Sequence, residues 1–170
     1  MVFPTFRGRS RPADGGPRRV APTMEAVHIV SPPPQDPGLA RLLVAAVDEL
    51  NARYPEDPTD HVLDPRARFL LADLDGEPAG CVALVPLEPG VGEIKRMFVD
   101  PAHRGRGVAT HLLAALEERA RAAEVRTLVL ETGVRQPEAV ALYEKLGFHP
   151  VEAYGSHAGN PLSLCYAKAL

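Results

Sequence analysis

The stretch Val99-Asp100-Pro101-Ala102-His103-Arg104-Gly105-Arg106-Gly107-Val108-Ala109-Thr110 decides the reading of this 170-residue chain. An apolar run ends at Val99, a short loop follows, and glycines lead straight into a new segment. In that segment Val108, Leu112, Leu113, Leu116 and Ala120 recur at helical spacing, with Glu117, Glu118, Arg119 and Arg121 mostly elsewhere. Glycine lets the backbone take conformations closed to other residues and approach a ligand closely. The first N–H groups of a helix have no partner inside it and sit at the positive end of its dipole. A strand–glycine–helix junction of this kind is therefore an anion site suited to a diphosphate. Arg104 and Arg106 can add charge-assisted contacts to it. The triphosphate loop GxxxxGK[ST] is excluded, because no lysine stands at the required place. The dinucleotide pattern GxGxxG fails as well, since Gly105-Arg106-Gly107 continues as Val108-Ala109-Thr110. A glycine-rich turn that binds nothing is the other reading of the same residues.

Working outward, Val91–Val99 reads as a strand entered from a turn at Pro89-Gly90. Before it, residues 69–72 and 79–85 are apolar runs joined by Asp73-Leu74-Asp75-Gly76-Glu77, a hairpin marked by Asp-Gly. Residues 54–66 hold three prolines and read mainly as loop. Asp36 followed by Pro37 starts a helix over about 37–53, with Leu39, Leu42, Leu43, Val47 and Leu50 on one face. A stiff Ser31-Pro32-Pro33-Pro34 connector links it to a short strand over 25–30. After the second long helix come a strand over 126–131 and a short helix opened by Pro137. Gly147 stands at that helix's end, and two last strands near 148–154 and 162–169 follow. The order β-α-β-β-β-α-β-α-β-β predicts one α/β (α+β) domain over 24–170 with helices flanking a mixed sheet.

Composition narrows the function classes. The apolar fraction of 45% suffices for a sizeable core, so wholesale disorder is excluded. No apolar stretch approaches the roughly 20 residues of a membrane-spanning helix, so no membrane partner is expected. Cys81 and Cys165 stand in no metal-ligand spacing and read as free, mostly buried thiols of a reducing cytoplasm. His28, His61 and His149 are too scattered for a metal site, and His103 and His111 read as surface or cap residues. Residues 1–23 hold five arginines against the single Asp14, so the remaining body carries a formal charge of −7. That balance suits a small-molecule or cationic partner and argues against nucleic acid. The 1–23 segment itself is either a disordered Arg/Pro/Gly-rich tail, the product of a start site upstream of a true start at Met24, or a basic arm.

Here a resemblance enters. Arg104-x-x-Gly107-x-Ala109 resembles the [QR]xxGx[GA] pattern of the GNAT N-acetyltransferase superfamily. It follows Glu93-Ile94-Lys95-Arg96-Met97-Phe98-Val99-Asp100-Pro101, which is similar to that family's fourth strand, and Ala141-Leu142-Tyr143-Glu144-Lys145-Leu146-Gly147-Phe148 resembles its LYxKxGF helix. The resemblance covers roughly residues 25–170, and the wording is similar to that of small bacterial acetyltransferases. It implies a mixed, mostly antiparallel twisted sheet in which Val91–Val99 splays from the strand over 126–131. It implies acetyl-CoA as the donor of an acetyl group, as co-substrate and without a metal. The acceptor is a primary amine of a small molecule or peptide, attacking directly in a ternary complex. The pantetheine arm pairs with the backbone of Met97 and Val99, and an N–H of Met97 or Phe98 meets the developing oxyanion. Backbone N–H groups of Arg104, Gly105, Arg106, Gly107, Val108 and Ala109 hold the diphosphate, with Thr110 close by. Gln136 stands where many relatives have a pantetheine-contacting Asn.

The same resemblance makes Tyr143 the group that protonates the departing thiolate and Glu93 the general base. Read from its neighbours alone, Tyr143 is an aromatic sealing a helix onto the sheet, and Glu93 is an exposed strand residue near a turn. Strand alternation puts Lys95 and Arg96 on opposite faces, and whichever faces the cleft can clamp a substrate carboxylate, Arg96 being the better fork. Tyr54, Tyr154 and His157, on loops, are candidates to line the acceptor pocket. The rival function is a non-catalytic acyl-CoA-binding sensor. Such domains often dimerise, so a homodimer is a further expectation.

Overall fold

A computed structural model of the protein describes residues 26–59 and 62–170, so the expectations for residues 1–23 and His61 fall outside it. Helix α1 (Pro37–Arg53) starts where Asp36 accepts the Leu39 N–H at 2.8 Å, with Pro37 in its first turn. It follows strand β1 (Val27–Val30) and precedes β2 (Arg68–Leu74), β3 (Glu77–Glu88) and β4 (Val91–Val99). The hairpin between β2 and β3 turns on Asp75 and Gly76, both at positive φ, as a two-residue turn demands. A 3₁₀ turn (Pro101–His103) leads to α2 (Val108–Ala122), then β5 (Thr127–Gly133), α3 (Pro137–Lys145), β6 (His149–Val151) and β7 (Ser163–Ala169). The strands form one sheet in the order β1-β2-β3-β4-β5-β7-β6, antiparallel throughout except for the parallel pair β4–β5.

The sheet is covered on both faces. Helix α2 buries Val108, Leu112, Leu113, Leu116 and Ala120 against Leu70, Ala72, Val82, Ile94, Leu128 and Leu130, a cluster that Tyr143 of α3 joins. On the opposite face α1 packs Leu39, Leu42 and Ala46 onto Leu71, Cys81 and Phe98. Each fully buried leucine contributes about 1.5–3 kcal/mol. Both cysteines are free and buried, and burial pushes the Cys81 thiol up to about 12.

The central strands part. β4 and β5 pair only from Val91↔Thr127 to Ile94↔Leu130. Beyond Ile94, β4 stays with β3 (Phe98↔Cys81, Val99↔Gly80) while β5 stays with β7 (Glu131↔Cys165, Gly133↔Ser163), so a gap opens between them. At this point β4 bulges. Cys81 faces Phe98 and Ala83 faces Lys95, which leaves Arg96 and Met97 opposite the single Val82. Arg96 takes a φ of 54°, unusual for a residue other than glycine. An extra residue bends a strand and raises its twist, which steers β4 away from β5. Lys95 and Arg96, expected on opposite faces with only one of them toward the cleft, both line the gap. Strand β6 is shorter than the run 148–154, because it pairs only three residues with β7 before the chain leaves the sheet edge.

Candidate active site

The gap is a cleft of about 480 Å³. Its walls come from β4 (Glu93 to Phe98), β5 (Glu131, Thr132, Gly133), α3 with its preceding turn (Gln136, Leu142, Tyr143), α1 with the residue after it (Glu49, Tyr54), and the loop before β7 (Ser156, His157). Ile94, Leu128 and Leu130 belong to the α2 face. Their neighbours Glu93 and Glu131 therefore project from the other face. Tyr143 enters from the α2–α3 face. The splay lets groups from both faces of the sheet meet in one space.

Glu93 is buried, with 5% of its surface exposed, and is held at both oxygens. Oε1 accepts a hydrogen bond from the Tyr154 hydroxyl at 2.9 Å, and Oε2 lies 3.2 Å from the Lys95 ammonium. His157 Nε2 stands 4.0 Å from Oε1 and meets the Tyr154 ring edge-on at 5.8 Å. Three residues picked separately from the sequence, Glu93, Tyr154 and His157, thus form one cluster. Burial, and then the Glu93 charge, raise the Tyr154 phenol well above its ordinary value. His157 lines the cleft, whereas Tyr154 reaches it through Glu93.

Tyr143 is 5% exposed and packs edge-on against Phe148, with ring centroids 5.6 Å apart. Its phenol is raised by burial and then by the Glu131 charge. Glu131 was not singled out in the sequence, where it reads only as the end of an apolar strand. The signal lay in its period-two offset from Leu128 and Leu130, which turns it to the cleft side once the gap is known.

Past Phe98, outside the cleft lining, Gly105 and Gly107 take φ values of 76° and 79°. A side chain would have room at both, so glycine is required here for its backbone freedom and not for space. Gly107 is the N-cap of α2, and no side chain caps the helix. The Val108, Ala109 and Thr110 amides precede the first helical bond, from His111 N to Gly107 O at 3.1 Å. These donors are what the diphosphate reading needs. His111, in the first turn of α2, is exposed and places its Nδ1 2.9 Å from the Gly107 oxygen. Arg104 donates to Val99 O at 3.0 Å and pairs with Glu49 of α1 at 2.6 Å, and its guanidinium lies over the Phe98 ring. Arg106 contacts His103 at 3.2 Å. Gln136 spends its side-chain oxygen on the Gly133 N–H at 3.0 Å, fixing the β5–α3 turn from the cleft wall.

Two candidates for the acceptor pocket serve the scaffold. The Tyr54 hydroxyl accepts the Arg135 N–H at 2.6 Å and its ring lies under the Arg135 guanidinium, which ties the end of α1 to the β5–α3 turn. The Arg96 guanidinium donates to Val62 O at 2.8 Å. Among the described residues no cluster of His, Cys, Asp and Glu is arranged to hold a metal. Among them, too, no helix is long and apolar enough to cross a membrane.

Comparison with known proteins agrees with this geometry. The acetyltransferase (GNAT) family profile matches residues 37–148. The chain belongs to the GNAT family. An IAA acetyltransferase of Azospirillum brasilense is 38% identical over 154 residues, which is 86% of this chain and the whole of that protein. The crystal structure of a putative acyl-CoA N-acyltransferase from Klebsiella pneumoniae is 37% identical, with a TM-score of 0.73 over 85% of this chain and 97% of that one. A GNAT structure from Elizabethkingia anophelis with acetyl-CoA bound shares the fold at 21% identity and a TM-score of 0.66, covering 85% of this chain and 98% of that one. As a GNAT acetyltransferase, the chain transfers an acetyl group and uses acetyl-CoA.

Proposed function

We propose that the acceptor is a primary amine of a small molecule or peptide, acetylated by direct attack on the thioester in a ternary complex. One observation carries the reading: the splay brings the Glu93 carboxylate and the Tyr143 phenol into one cleft from opposite faces of the sheet. An amine attacking a thioester must lose a proton, and the departing thiolate must gain or share one. A base and an acid on opposite sides of the reacting carbon meet both needs. The amine nitrogen bonds to the acetyl carbon as the carbon–sulfur bond breaks. Glu93 takes the amine proton, an N–H of Met97 or Phe98 meets the developing oxyanion, and Tyr143 donates to sulfur.

The uncapped start of α2 supports placing the diphosphate on residues 104–109. The Gln136 oxygen is already engaged, which leaves its NH₂ for the pantetheine. Glu93 and Glu131 on the acceptor side favour a cationic amine over an anionic acceptor. A screen of amines by thiol release, with IAA (the compound in the name of the Azospirillum relative) in the same panel, identifies the acceptor. Glu93→Gln is expected to abolish most turnover while retaining acetyl-CoA binding. Full turnover in that variant removes the base role. Binding of acetyl-CoA without thiol release across the panel favours a sensor.

A further inference from the structure

We infer that Tyr154 is a positioning residue, which orients the Glu93 carboxylate for proton abstraction from the acceptor. The inference rests on the base role proposed for Glu93, and it assigns Tyr154 a part different from lining the pocket. Three observations carry it. Tyr154 does not line the cleft, yet its hydroxyl reaches Glu93 Oε1 at 2.9 Å. Glu93 is buried, where a hydrogen bond is stronger than in water. Lys95 engages the other oxygen at 3.2 Å, so the carboxyl group cannot rotate without breaking one contact or the other.

A hydroxyl donating to one carboxylate oxygen fixes the plane of the carboxyl group and the direction of its remaining lone pairs. Tyr154 is suited to the part, since burial and the Glu93 charge keep its phenol protonated, hence a donor, over the working range. The other ionisable groups facing the pair are Lys95 on β4, Glu131 on β5, Cys165 on β7 and His157 on the same loop.

The test is steady-state kinetics with the best amine of the screen, read as kcat against KM. Tyr154→Phe keeps the ring and its contact with His157 while removing the donor. Its kcat is expected to fall about tenfold with KM for acetyl-CoA little changed. Thermal melting checks that the variant folds like the parent. Lys95→Met, which removes the donor to the other oxygen, is expected to lower kcat in the same way. A Tyr154→Phe kcat equal to the parent's, while Glu93→Gln has lost activity, overturns the positioning role and leaves the base role standing. A Glu93→Gln enzyme with the parent's rate overturns the base role itself.

Discussion

Tyr143 shows how burial selects a chemical role. A phenol raised by desolvation and by Glu131 keeps its proton at neutral pH, which fits the proposed role of hydrogen-bond donor to a departing sulfur. The same shift makes it a weak acid, so its help comes only once charge has built on the sulfur. Tyr143→Phe retains the contact with Phe148 and is expected to lower kcat by about 10²-fold, with a smaller change in KM for acetyl-CoA, read by steady-state kinetics. Gly133 illustrates a different constraint. Any Cβ there would overlap the Tyr54 phenol oxygen, which itself accepts the Arg135 N–H. Gly133→Ala is therefore expected to cost about 1–3 kcal/mol in denaturant unfolding and to loosen the end of α1 from the cleft rim. A melting curve unchanged from the parent's would mean that Tyr54 moves aside freely.

At the scale of elements, the turn between β4 and α2 is braced before it reaches the helix. Asp100 accepts the Ala102 N–H at 3.0 Å and pairs with Arg41 of α1 at 2.9 Å. The Ala102 amide first, and then Arg41, hold this carboxyl below its ordinary value of 3.8. A carboxyl lowered in the folded state contributes stability that is fully present above its ordinary value and is lost as pH falls through the lowered one. Asp100→Asn is thus expected to destabilise the protein at neutral pH. Its deficit should shrink as acid protonates the parent's carboxyl, which urea unfolding across a pH series would show. Gly107→Val places a β-branched residue at a φ of 79° at the helix cap. It is expected to raise KM for acetyl-CoA several-fold, with less effect on KM for the acceptor.

For the whole molecule, the site exists because the sheet is complete at its ends and open at its centre. Helices α2 and α3 cover one face and α1 the other, so two ligands can approach the gap from opposite sides of one sheet. The Arg104–Glu49–Arg53–Glu138 chain of ion pairs joins the loop before α2, α1 and α3 around it. A ligand that binds across these elements stabilises all of them together. Coenzyme A at about 100 times its Kd is expected to add about 2.7 kcal/mol to the parent, measured as a thermal shift. Gly107→Val should show a smaller shift at the same concentration, each protein being measured against its own ligand-free melting temperature. Equal shifts in the two proteins would place the diphosphate away from the α2 cap.

The order of elements, the α1 cap at Asp36, the hairpin at Asp75-Gly76 and the glycine cradle at residues 104–109 were all legible in the residues. Each depends on neighbours close in the chain: a capping side chain, a turn dipeptide, a helical period. The bulge at Arg96, the gap it opens, the Tyr154–Glu93 contact and the place of Glu131 depended on the tertiary structure. They arise from pairings such as Phe98↔Cys81 and from a hydroxyl 61 positions away from the carboxylate it holds. No local propensity encodes a register shift between two strands. The chain alone therefore determined which elements form and where the glycine turn meets α2, and the packing of the sheet decided which carboxylate and which phenol meet in the cleft.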